Sequence, residues 1–138
     1  MNYKKNKLFI ENISVQNIVN KFGTPSYCYS LNKLKFNIKN FKKYFRSINP
    51  LICFSVKANS NLKILKEIKK MGIGADVVSK GELIMALKAG ISPKKIVFSG
   101  VGKSLDELKF AIDKNILLIN SESESEISQI EKISKKKK

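Results

Sequence analysis

The sequence holds no histidine. Catalysis by Ser-His-Asp or Cys-His pairs is therefore excluded within this chain, and the commonest side-chain metal ligand is missing, so no metal site is expected. Cysteine is scarce: Cys28 and Cys53 stand alone, without metal-ligand or Cys-x-x-Cys spacing. Each lies in a strand-like apolar run, Tyr27-Cys28-Tyr29 and Ile52-Cys53-Phe54, which suggests two buried free thiols in a reducing cytoplasm. No apolar run approaches the roughly 18 residues that a bilayer span requires, and no membrane partner is expected. Met1 to Ser14 lacks an apolar stretch of about 7 to 15 residues, so it does not read as a secretory signal.

Acidic residues are also few, 11 against 27 Lys and Arg, for a net charge of +16. Such an excess invites a basic nucleic-acid-binding domain, since clustered cations release counterions from phosphate backbones. Three features argue against it. Arg46 is the lone arginine, so 26 of the 27 basic residues are lysine, whereas bidentate recognition of phosphate or guanine favours arginine. The lysines are spread over nearly every helix face instead of forming a stripe. The joint excess of Ile, Asn and Lys is what AT-rich coding produces. No nucleic-acid partner is expected, and the densest patch, Lys135 to Lys138, reads as a basic tail.

What is present is a globular composition, 43% hydrophobic over 138 residues, and a repeat. Four short apolar runs, Leu51–Val56, Ala75–Val78, Ile96–Phe98 and Ile116–Ile119, begin about 21 residues apart. Each precedes a polar turn and an amphipathic segment, beginning with Leu62, Ile64, Leu65 and Ile68 after the first run. Ser104 and Glu107 have the Ser-x-x-Glu spacing of a capping box, and Ser123 and Glu126 repeat it. Gly72, Gly90 and Asn115 sit where helices should stop. Strand and helix alternating at this spacing predict a parallel α/β arrangement, and unbroken apolar strands predict a sheet covered on both faces.

An open doubly wound sheet and a (β/α)8 barrel both fit. The first strand is not followed by Gly-x-Gly-x-x-Gly, as a dinucleotide fold would need, and the even, short units favour the barrel. Before the repeats, Leu8–Ile10 and Tyr27–Tyr29 read as strands around a weak helix near Val15–Phe22, with a turn at Gly23-Thr24-Pro25. A further helix runs from Leu31 to Phe45 and ends before Pro50.

Lys57 is the conspicuous chemical residue. It ends the most hydrophobic strand, and the C-terminal strand ends form the active face of an α/β barrel. A partly desolvated lysine there becomes a nucleophile able to form a Schiff base with an aldehyde such as pyridoxal phosphate. The plain alternative is a strand-end lysine that snorkels to water. Asp76 lies within the second strand, where an acid is out of place unless it faces a polar site. Glu82 opens the next helix, where a carboxylate also offsets the helix dipole. Ser99-Gly100-Val101-Gly102-Lys103-Ser104 has one residue between its glycines and so lacks the phosphate-loop spacing.

At these residues the sequence resembles diaminopimelate decarboxylases, fold type III pyridoxal-phosphate enzymes. Phe54-Ser55-Val56-Lys57-Ala58-Asn59-Ser60-Asn61 resembles their cofactor-lysine motif, and Gly74-Ala75-Asp76-Val77-Val78-Ser79-Lys80-Gly81-Glu82-Leu83 their second block. Ile96 to Ser104 and Ile119 to Glu126 resemble the third and fourth, while Phe22-Gly23-Thr24-Pro25-Ser26-Tyr27 resembles the entry to their barrel. The blocks keep the family's order and spacing over about residues 22 to 133. Alanine racemases follow the lysine motif with Ala-Tyr-Gly-His instead of Ser60-Asn61, and ornithine decarboxylases usually carry cysteine at the place of Ala58. The small pyridoxal-phosphate homeostasis proteins lack the run from Ala58 to Asn61. Another fold type III member, an ornithine or arginine decarboxylase or an alanine racemase-like protein, remains the alternative within the superfamily.

The resemblance implies pyridoxal 5'-phosphate as cofactor, Lys57 as its Schiff-base lysine, and Asp76 and Glu82 as acids near it. It implies a cytoplasmic homodimer of barrel and β-rich domains that decarboxylates meso-diaminopimelate, a small amino-acid substrate, to L-lysine. A full barrel needs about 250 residues, so residues 31–134 are expected to form an incomplete pyridoxal-phosphate-binding barrel of about four βα units. Residues 1–30 are its lead-in from the β-rich domain, and 135–138 a tail. A truncated or split gene, read through an adenine run, is expected, as is an inactive or non-catalytic cofactor-binding fragment when the chain stands alone. Its open strand edges would favour association.

Overall fold

The computed structural model describes residues 1–135. By compactness the chain divides into Met1–Asn49 and Pro50–Lys138, which places the helix after Ser30 with the N-terminal strands.

The first unit begins with a three-stranded antiparallel sheet, β1 (Asn2–Lys4), β2 (Lys7–Ile10) and β3 (Ile13–Ser14), in sequential order. Lys5 and Asn6 both have positive φ in the two-residue link between β1 and β2, as a right-twisted hairpin demands. Ser14 then caps α1 (Val15–Phe22) by accepting from Asn17 N–H at 3.2 Å. Gly23, at φ 77°, stops the helix. Ser30 caps α2 (Leu31–Tyr44) through Lys33 N–H. Glu11 ties the two parts of the unit together. Its carboxylate accepts from Ser30 Oγ at 2.7 Å, and from Asn32 N–H and Nδ2 at 2.9 Å each. These bonds, led by the Asn32 N–H and aided by Ser30 and Lys35, hold the Glu11 carboxyl below its ordinary pKa. The expected strand Tyr27–Tyr29 does not form, and Cys28 is exposed instead of buried. Alternating aromatic residues carry strand propensity, but no strand among the described residues pairs with them.

The second unit is the repeat. Strands β4 (Cys53–Ser55), β5 (Gly74–Val77), β6 (Ile96–Phe98) and β7 (Leu118–Ile119) form a parallel sheet in sequential order. Helices α3 (Leu62–Lys70), α4 (Lys80–Lys88), α5 (Leu105–Asp113) and α6 (Glu124–Lys135) follow them in turn. The first and last strands are shorter than the apolar runs that encode them: Val56 to Ala58 turn into a single 3-10 turn, and Ile116-Leu117 precede β7. Three helices end alike. The N–H of Ile73, Ile91 and Ile116 returns to the carbonyl of Ile68, Ala86 and Ala111, across Gly72, Gly90 and Asn115 with φ of 73°, 83° and 53°. This left-handed closure satisfies carbonyls that the helix leaves open.

The core lies under one face of the sheet. Ala75, Val77, Ile96 and Phe98 are fully buried with Leu65, Ile68, Leu83, Ala86, Leu108 and Ala111 of the helices. Each large side chain there contributes about 1.5–3 kcal/mol of transfer free energy. Residues one register position away, Ser55, Asp76 and Val97, are half-buried, and Leu118 is exposed. Coverage of both faces was expected; one face is covered, because right-handed crossovers between sequential neighbours put every helix on the same side. Gly74 begins β5 because a Cβ there would be driven into the Lys95 carbonyl and to 2.9 Å from Cys53 Sγ. Of the expected basic tail, Lys135 closes α6 and pairs with Glu131 at 2.6 Å, and residues 136–138 lie outside the described residues. No helix among the described residues is long and apolar enough to cross a membrane.

Candidate active site

Parallel strands bring their C-terminal ends to one edge, and the helices that follow begin there. The N-termini of α3, α4, α5 and α6 therefore present partial positive charge on that side, with first-turn N–H groups taken by capping side chains at each. The same edge collects the polar residues of the loops.

Lys57 stands at the end of β4, not in the strand but in the 3-10 turn Val56–Ala58. Val56 anchors that turn at 0% exposure, and Asn59 N–H closes it on the Val56 carbonyl at 3.0 Å. Lys57 itself is exposed. The desolvation expected for it is not met among the described residues. The turn packs beside β5 and α4.

Asp76 sits on the open face of β5, in register with Ser55 on β4. Ser55 Oγ donates to Asp76 Oδ2 at 3.1 Å. Asp76 Oδ1 is buried and has no hydrogen-bond partner. A buried acceptor left without a donor is costly unless a group from outside supplies one. Burial first, and the Asp76 charge second, push the Cys53 thiol up from its ordinary value. Cys53 thus stays protonated and unreactive at neutral pH.

Glu82 occupies the first turn of α4, and its Oε2 accepts from Val78 N–H at 2.9 Å while Ser79 Oγ accepts from Glu82 N–H at 3.2 Å. Its carboxylate is engaged in closing the start of its own helix. Lys57, in the turn past β4, and Asp76, on the adjacent β5, thus both lie toward the C-terminal edge of the sheet, and Glu82 follows in the first turn of α4.

Two side-chain pairings at this edge were not foreseen from the sequence. Ser99 and Asn120, the first residues past β6 and β7, are joined by Asn120 Nδ2 donating to Ser99 Oγ at 3.0 Å. Their equivalent places in the repeat were the available signal. Ser99 N–H and Asn120 N–H extend the ladder onto the Val77 and Phe98 carbonyls at 2.9 Å each. Lys103 and Glu126 form a sealed ion pair, Nζ to Oε1 2.7 Å, with side chains 1% and 8% exposed. Burial raises the Glu126 carboxyl, but the Lys103 hydrogen bond and charge and the Glu122 N–H outweigh it and hold it below its ordinary value. Sequence periodicity offers no signal for such a pair, since both residues fall in polar stretches.

The donor set fits pyridoxal phosphate. Lys57 supplies a primary amine for an aldehyde, Asp76 a buried acceptor without a donor, and the helix N-termini an environment that favours a phosphate anion.

Comparison with known proteins agrees in kind and extent. Residues 31–138 match the family model of the pyridoxal-dependent decarboxylases, pyridoxal binding domain. The diaminopimelate decarboxylase of Aquifex aeolicus is 43% identical over 99% of this chain and 32% of its own length. The solved diaminopimelate decarboxylase of Helicobacter pylori, complexed with L-lysine, is 45% identical with a TM-score of 0.84, covering 88% of this chain and 31% of that one. That of M. jannaschii is 34% identical with a TM-score of 0.94, over 98% and 32% respectively. The chain spans about a third of the length of the relatives it matches, and its parallel sheet corresponds to the N-terminal part of their (β/α)8 barrel.

Proposed function

The chain belongs to the pyridoxal-dependent decarboxylase family, and from that premise we propose that it carries the cofactor-lysine portion of a diaminopimelate decarboxylase, with Lys57 as the anchor. The observation that carries the proposal is the place of Lys57 in the turn just past β4, whose last residue Ser55 is in register with Asp76 on β5, with Asp76 Oδ1 buried and lacking a donor.

When bound, the cofactor supplies an electron sink for the pair left behind as carbon dioxide departs. Lys57 would hold the cofactor through its primary amine. Ser55 holds Asp76 through Oδ2, and Oδ1 remains as an acceptor that a ligand could use. Glu82 acts indirectly, by fixing the loop between β5 and α4 against which a ligand would lie. The substrate in this reading is meso-diaminopimelate and the product L-lysine, which the Helicobacter pylori relative holds in its solved complex. A cytoplasmic homodimer built from the whole-length protein belongs to the same proposal.

A second reading is favoured by the exposure of Lys57: capture of pyridoxal phosphate without turnover. Absorbance separates the readings. Purified chain mixed with pyridoxal phosphate should shift the cofactor band to longer wavelength, and Lys57→Ala should abolish the shift. No shift with the wild-type chain would overturn cofactor capture by it. Carbon dioxide release from meso-diaminopimelate would then identify the enzyme, and its absence the carrier.

A further inference from the structure

The Lys103–Glu126 pair does something that helix capping does not require. Glu126 already caps α6 with its other oxygen: Oε2 accepts from Glu122 N–H at 2.9 Å, while Ser123 Oγ accepts from Glu126 N–H at 3.2 Å. The same arrangement at Ser79 and Glu82 works without a buried cation. At α6 a lysine is added, and its ammonium is taken out of water at 1% exposure. A buried ion pair often contributes no more stability than apolar side chains of equal volume, so its presence calls for a geometric reason.

The geometry supplies one. Lys103 Nζ donates to the Asn120 carbonyl at 2.6 Å as well as pairing with Glu126 at 2.7 Å, and it lies over the Phe98 ring at 5.8 Å. It thus joins the loop after β6, the end of β7 and the start of α6 at one point. Asn120 is thereby held so that its carboxamide donates to Ser99 Oγ. We infer that Lys103 is a positioning residue, which acts through Asn120 to fix a polar ledge of Ser99 and Asn120 on the edge that carries Lys57 and Asp76. The role of the ledge in ligand binding rests on the proposed reading of that edge as the cofactor side; its fixing by Lys103 does not.

The test uses the full chain, isotope-labelled, and reads the Asn120 carboxamide protons by hydrogen exchange. In the charge-free double variant Lys103→Met with Glu126→Leu, helix content by circular dichroism should persist. Asn120 carboxamide exchange should meanwhile rise roughly five- to tenfold, the equilibrium worth of one hydrogen bond. Lys103→Arg, which keeps charge and donors, should restore protection, an effect that general loosening would not give. Wild-type Asn120 exchange in the folded double variant would overturn the inference. Should that variant not fold, Lys103→Met with Glu126→Gln, whose amide oxygen can still accept from Glu122 N–H, is read the same way. A parallel absorbance titration with pyridoxal phosphate should show the half-saturating concentration raised several-fold in the double variant. Unchanged affinity beside raised exchange would confine Lys103 to shaping the loop and overturn the ledge's role in binding. Failure of the wild-type chain to take up pyridoxal phosphate would sink the cofactor reading, while the exchange measurement still decides the positioning.

Discussion

The two units spend their apolar residues differently. Every buried hydrophobic side chain among the described residues lies at or beyond Val56, in the second unit. The first unit exposes Tyr3, Phe22, Tyr27, Phe36 and Tyr44 at 55% or more, and the one residue it buries is Ser14. Both have well-formed helices with serine caps, so the contrast is not one of local propensity. A parallel sheet with helices on one side closes a core within about 80 residues. Three short antiparallel strands and two amphipathic helices do not, and their order rests on caps and on the Glu11 bonds. The lesson is that a well-capped helix can be a surface waiting for a neighbour.

The sharpest way to break this contrast is truncation of matched aromatics. Phe98→Ala, at 0% exposure, should destabilise by about 3–5 kcal/mol in urea unfolding. Phe36→Ala on α2, at 55% exposure, should cost less than about 1 kcal/mol; equal losses would mean that the first unit has a core of its own. Next comes Lys103→Met, which leaves the Glu126 carboxylate buried and unpaired and should cost about 3–5 kcal/mol. Breaking the exposed Lys135–Glu131 pair should cost about 0–1 kcal/mol. Backbone closeness gives a third comparison. Gly74→Ala forces a methyl into the Lys95 carbonyl and should lower stability by about 3 kcal/mol. Gly23→Ala meets open space and bears mainly the strain of φ 77° with ψ −172°, about 1–3 kcal/mol.

Acid titration gives a smaller effect. Glu11, Glu107 and Glu126 all have carboxyls below the ordinary glutamate value. For Glu107 the causes are led by the N–H groups of Lys80 and Ser104. A depressed folded pKa gives stability that is present above the unfolded value and lost as pH falls through the folded one. Stability should therefore fall from about pH 4.3 downward, and Glu126→Gln should flatten that slope more than Glu11→Gln, whose site is screened by water. Smallest of all, Lys57→Ala should change stability by no more than about 0.5 kcal/mol, since Lys57 is exposed, while abolishing the pyridoxal-phosphate absorbance shift.

Much of this was legible beforehand. The four strand–helix repeats, α1 at Val15–Phe22, and the helix stops at Gly72, Gly90 and Asn115 follow from period, capping residues and left-handed geometry, all local signals. The capping box at Ser104 and Glu107 forms as read. At Ser123 and Glu126 the serine caps, but the carboxylate reaches back one residue further, to Glu122. Ser79 and Glu82 repeat that form, whereas the sequence pointed to Glu82 as a first-turn acid and as an acid near the cofactor. Tyr27–Tyr29 failed because strand formation needs a partner that propensity does not reveal. Coverage of both sheet faces failed because apolar content does not say which side the helices take.

Sequence by itself determined the element order, the caps, the parallel class and the family, because these depend on spacing and on residue chemistry within a few positions of one another. Tertiary structure alone decided which face of the sheet is open, that Lys57 is solvated in this chain, that Asp76 keeps one oxygen without a donor, and that Lys103 is sealed against Glu126. Those properties arise from groups roughly 20 residues or more apart meeting across strands, and burial and pairing at that range are set by packing rather than by any local pattern.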